Sequence, residues 1–105
     1  MKTKTRNISQ QIKRYVHSID PNAQIFLYGS RARGDERIDS DWDILILTDS
    51  SMDLDMERKF RNKLYDLELE TGEAFSVFIY SKSDWKQKQS ISPFYHNVIQ
   101  EGIRI

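Results

Sequence analysis

The chain has 105 residues and no cysteine, and its sixteen basic residues balance sixteen acidic ones. That length predicts a single domain over 1–105. The charge balance, with a pI of about 6.7, argues against a strongly basic nucleic-acid module, and the absence of thiols excludes disulfides and thiolate metal sites. No apolar run approaches the ~18 residues of a membrane span, and Met1-Lys2-Thr3-Lys4 leads into polar sequence, so a soluble, cytoplasmic protein is expected.

Helix and strand signals alternate along the chain. Within 6–19, Ile8, Ile12, Tyr15, Val16 and Ile19 recur every three or four residues, which is one helical face, and Pro21-Asn22 ends it. Gln24 to Tyr28 is a short apolar run that stops at Gly29-Ser30, a strand followed by a turn. Residues 31–39 are polar and contain Gly34, which predicts a loop or one helical turn. Asp41 to Leu47 reads as a second buried strand, and the polar stretch 48–51 as turn material that caps the next helix.

Residues 52–70 form the longest helix, with Met56, Phe60, Leu64 and Leu67 as its stripe, Leu54 and Leu69 flanking it, and Gly72 as its stop. Ala74 to Tyr80 is a third strand. Ser83 or Asp84 caps a short helix carrying Trp85, and a last helix from Phe94 to Gln100 follows Pro93 and ends at Gly102. The order predicts an α/β (or α+β) domain of helices on a small sheet.

Chemistry concentrates in Gly29 to Gly34 and Ser40 to Asp43. Gly29-Ser30 leaves a strand through a tight turn. Such a turn can aim main-chain N–H groups at an anion, with the Ser30 hydroxyl and the charges of Arg31 and Arg33 beside them; alone, the pair is an ordinary helix cap. Asp41 and Asp43, two apart on a strand, point to one face. Paired carboxylates repel unless a cation bridges them, and oxygen ligands of this kind suit Mg²⁺, which keeps waters and takes phosphate oxygens as further ligands. If the two strands are neighbours, one nucleoside triphosphate with its metal spans both features.

Together, Gly29-Ser30-Arg31-Ala32-Arg33-Gly34 and Ser40-Asp41-Trp42-Asp43 resemble the signature of the minimal nucleotidyltransferases of the DNA polymerase beta-like superfamily. The order of elements extends the resemblance over most of the chain, and the stretch from Ser92-Pro93-Phe94-Tyr95 to Glu101-Gly102 looks like the close of small stand-alone members. The resemblance implies the nucleotidyltransferase fold, a small mixed β-sheet backed by helices. It implies a Mg²⁺-dependent transfer of a nucleoside monophosphate from a nucleoside triphosphate to an acceptor hydroxyl, with release of pyrophosphate. Protein tyrosines, RNA ends and small molecules are acceptors in the superfamily, so nucleic acid enters as an acceptor only. By the same resemblance, Gly29, Ser30, Arg31, Arg33 and Ser40 hold the nucleotide, and Asp41 and Asp43 hold the catalytic metal. Larger members add a helical domain, so a homodimer or a helical HEPN-type partner is expected.

One departure stands out. Active members carry a third carboxylate on the next core strand, and its expected place here is Ser76. Three readings stay open: Glu73 reaches the metals from the start of that strand, the chain works with two carboxylates, or it binds nucleotide without efficient transfer. The last reading makes it a weak nucleotide-binding or antitoxin-like module that blocks its partner. Trp42 packs on the opposite sheet face or lies near a bound base. His17 and His96 have no metal-ligand spacing.

Overall fold

Helix α1 (Thr3–His17) starts ahead of its apolar periodicity and buries Thr5, Ile8, Ile12 and Val16 along one side. Strand β1 (Gln24–Tyr28) follows, then the single-turn helix α2 (Ser30–Arg33) and strand β2 (Trp42–Thr48). Helix α3 (Leu54–Thr71) is capped by the Asp53 carboxylate, which accepts the Met56 N–H at 2.8 Å; the expected cap within 48–51 lies upstream of it. The computed structural model describes residues 2–88 and 90–105.

Strand β3 (Phe75–Ser81) runs directly into α4 (Lys82–Lys88). The cap of α4 is Ser81, whose Oγ accepts the Asp84 N–H at 3.1 Å, and not Ser83 or Asp84. Helix α5 (Pro93–Glu101) begins at its proline, with Ser92 Oγ accepting the Tyr95 N–H at 3.0 Å. A two-residue strand, β4 (Ile103–Arg104), follows Gly102; the sequence pattern did not show it, because two residues carry no period.

The sheet order is β3-β2-β1-β4. β1 is antiparallel to β2 and β4, while β2 and β3 are parallel and joined across α3. The mixed sheet with helices on both faces is the nucleotidyltransferase fold expected from the sequence. One face buries Ile25, Leu27, Trp42, Ile44, Ile46 and Ile79 under α1 and α3. The other carries Leu45 and Leu47 against Trp85 and Val98 of α4 and α5. No described helix is long and apolar enough to cross a membrane.

A buried charge network fastens the site loop to the first of these faces. The Arg31 guanidinium lies 4.4 Å from the centre of the Trp42 ring and donates from Nη2 to Ser40 O at 2.9 Å. Trp42 Nε1–H donates to Glu73 Oε2 at 3.1 Å, Arg31 Nη2 stands 3.8 Å from the same oxygen, and Lys4 Nζ pairs with Oε1 at 2.6 Å. Removing one member of a buried pair leaves the other charge without compensation.

Glu73→Gln is therefore expected to cost on the order of 1 kcal/mol at neutral pH, because the Lys4 partner is half exposed and solvent screens the pair. Burial pushes the Glu73 carboxyl up, but the hydrogen bonds from Lys4 and Trp42 and the charges of Lys4 and Arg31 outweigh it, leaving the group below its ordinary value. The stability due to ionised Glu73 is thus complete above the unfolded pKa of 4.5 and is lost as pH falls through the lower folded value. Denaturant melts of wild type and variant should converge in acid, and a deficit that stays constant with pH would contradict this assignment.

Candidate functional site

The register decides which side chains meet. Tyr28 pairs with Asp43 across β1 and β2, and Asp43 pairs with Ser76 across β2 and β3. Tyr28, Asp43 and Ser76 therefore stand side by side on one face of the sheet. The chain leaves β1 through Gly29, at φ 73° and ψ −158°, and enters α2 at Ser30. A Cβ at Gly29 would stand 2.2 Å from Asp43 Oδ2. The turn after β1 therefore abuts Asp43, while Asp41 lies one residue ahead of β2 and not on the strand expected from 41.

The cleft is acidic at its floor and basic at its rim. Asp41 is exposed and Asp43 half-buried. Burial raises the Asp43 carboxyl above its ordinary value, the Asp41 and Glu101 charges add to the rise, and Arg33 opposes it. Burial, followed by Asp43 and Tyr80, likewise raises Tyr28, which keeps its proton and can only donate or accept a hydrogen bond at neutral pH. A carboxylate raised by a second one beside it fits a divalent cation that draws its other ligands from water and phosphate. Among the described residues, no three carboxylate, imidazole or thiol groups converge on one point.

The candidate residues divide into two groups. Gly29 abuts Asp43, Ser30 follows at the head of α2, and the charges of Asp41 and Arg33 act on Asp43. The side chain of Arg31 does not join them. It is buried behind the loop on Trp42, and its Nη2 donates to the carbonyl oxygens of Ser40 and Ile38, so it shapes the loop and offers no charge to the cleft. Ser40 Oγ accepts the Arg37 N–H at 2.8 Å and closes the loop on itself. Glu73 sits with Trp42, Lys4 and Arg31 on the α1 side, because β2 alternates and Trp42 faces away from Asp43. That placement does not carry Glu73 to the carboxylate pair. Trp42 is fully buried and so is closed to a stacked base.

Sequence reasoning missed Glu101. Its Oε1 accepts the Gly29 N–H at 3.0 Å and its Oε2 pairs with Arg33 Nη1 at 3.0 Å. It lies 72 residues from Gly29, and nothing in local periodicity links the two.

The family model described as "Polymerase beta, Nucleotidyltransferase" matches residues 10–105. The chain belongs to this nucleotidyltransferase family. A crystal structure described as a nucleotidyltransferase is 26% identical, with a TM-score of 0.64 over 92% of this chain and 96% of that one. Two further neighbours show the shared fold. One is a chain of a toxin–antitoxin complex with AMP-PNP, 18% identical, TM-score 0.64, covering 90% of this chain and 69% of that one. The other comes from a complex of tri-AMPylated Shewanella oneidensis HEPN toxin with MNT antitoxin, 14% identical, TM-score 0.62, covering 95% and 70%. A comparison with curated protein sequences found no match.

Gly29→Ala should test the shared cleft. At φ 73° and ψ −158°, a backbone region open essentially to glycine alone, a side chain is strained by about 1–3 kcal/mol, and the new methyl must also displace the Asp43 carboxylate. The variant should lose more than that strain alone in denaturant melts; a loss no larger than the strain would mean that Asp43 yields freely, and an unchanged midpoint would contradict the geometry of the turn.

Proposed function

We propose that this nucleotidyltransferase moves a nucleoside monophosphate from a nucleoside triphosphate to an acceptor hydroxyl, with Mg²⁺ and with a helical HEPN-type protein as partner. The observation that supports the reading most is the approach of Gly29 to Asp43, which brings the turn after β1 beside a carboxylate of β2. The Gly29-Ser30 turn would receive the triphosphate, since the first N–H groups of a helix have no preceding turn to bond to. The Ser30 hydroxyl stands at the head of that helix, and Arg33 supplies charge at the rim. Asp41 and Asp43 would hold the Mg²⁺. That ion, once bound, neutralises charge on the transferring phosphoryl group and lowers the pKa of a coordinated hydroxyl.

The HEPN-type partner rests on the structural neighbours, whose complexes pair this fold with toxins, one of them carrying AMP groups. A second copy of the chain is the competing partner. A second function rests on Ser76, which occupies the strand position beside Asp43 and brings no charge. On that reading the chain binds nucleotide, transfers it poorly, and blocks its partner by occupancy.

The deciding experiment is label transfer from α-labelled ATP to co-purified protein or to RNA. Transfer should require Mg²⁺ and vanish in the Asp41→Asn and Asp43→Asn variants. Ser76→Asp, which restores a base beside Asp43, should raise the rate by roughly a hundredfold. No transfer by wild type and by Ser76→Asp, with intact fold and every partner tried, would leave the binding module as the function.

A further inference from the structure

Glu101 is the last residue of α5, and its carboxylate saturates two donors that the proposed function assigns to the triphosphate. Oε1 takes the Gly29 N–H and Oε2 takes Arg33 Nη1, each at 3.0 Å. A bidentate carboxylate on an amide and a guanidinium satisfies the same donors that two oxygens of a phosphate would. The backbone around Glu101 is fixed on both sides. Upstream, α5 packs Phe94, Tyr95 and Val98 on Leu45, Leu47 and Trp85. Downstream, the Gly102 N–H donates to Val98 O at 2.7 Å, and a Cβ at Gly102 would stand 2.4 Å from that oxygen. The chain then joins the sheet at once, with Ile103 opposite Leu27. Only the side-chain torsions of Glu101 are left to vary, so the carboxylate is tethered at the cleft.

Resting on the nucleotide reading above, we infer that Glu101 is a built-in competitor for phosphate: a carboxylate that closes the Gly29–Arg33 cradle and must swing out when a triphosphate enters. The same swing carries a negative charge away from Asp41 and Asp43 as a polyanion arrives. The cradle is then coupled to α5, and a partner that draws on α5 alters nucleotide affinity without touching the carboxylate pair.

The test compares wild type with Glu101→Gln, titrated with MgATP and with inorganic pyrophosphate. The amide oxygen of Gln still accepts the Gly29 N–H, so the fold is kept while the charge is removed, and thermal melts confirm it. Both probes should bind the variant tighter, on the order of tenfold. In wild type, the Gly29 amide resonance should shift when pyrophosphate binds, because its acceptor changes. If Glu101→Gln proves unstable, Glu101→Asp serves instead: too short to span both donors, it should also bind tighter, by a smaller factor. Equal or weaker binding by the variants, or binding in wild type that leaves the Gly29 amide unmoved, overturns the inference and leaves the nucleotide reading standing. No binding of either probe to wild type or variant overturns both.

Discussion

The site depends on one close approach, the bare Cα of Gly29 against the carboxylate of Asp43. Antiparallel pairing brings Tyr28 opposite Asp43, so the turn that ends β1 and the acidic entry to β2 arrive at the same end of the sheet. Any side chain on the turn would fill the space between them. Glycine supplies both the absent atom and the positive φ that sends the chain into α2. The chemistry proposed for the chain follows from that arrangement, since phosphate donors and metal ligands must lie within one ligand's reach.

Strand alternation then divides the polar residues of β2 and its neighbours. Asp43 faces the cleft; Trp42 faces the core and carries Arg31, Glu73 and Lys4 with it. A guanidinium two residues beyond Gly29 would serve an anion well if it pointed outward. It points inward because its stem and plane stack on Trp42, where Glu73 offsets the charge and the loop carbonyls accept its protons. The loop between α2 and β2 is thereby anchored from beneath, and Arg33 is left at the rim.

The opposite face of the sheet makes the cleft answerable to the end of the chain. Helix α5 lies on an aromatic cluster that includes Tyr28, Trp85 and Phe94, and it ends where Glu101 meets Gly29. Ser76 adds a neutral neighbour: the strand position beside Asp43 on β3 carries no charge.

Much of the fold was legible from local pattern. β1 is a run of five apolar or amphipathic residues between a proline turn and a glycine, and its limits were read without error. α3 was read from the spacing of Phe60, Leu64 and Leu67, and its stop from Gly72, because helix period and left-handed capping are properties of neighbouring residues. The motif itself was legible too, since Gly29-Ser30 and Asp41-x-Asp43 each lie within a few residues. What needed the tertiary structure was every relation across distance. β4 forms only because β1 offers a free edge, the inward turn of Arg31 needs Trp42 and Glu73 in place, and the bond from Gly29 to Glu101 joins residues 72 apart. A sequence states which side chains are available and which face of its own strand or helix each one takes; which of those faces confront each other is settled only when the sheet closes.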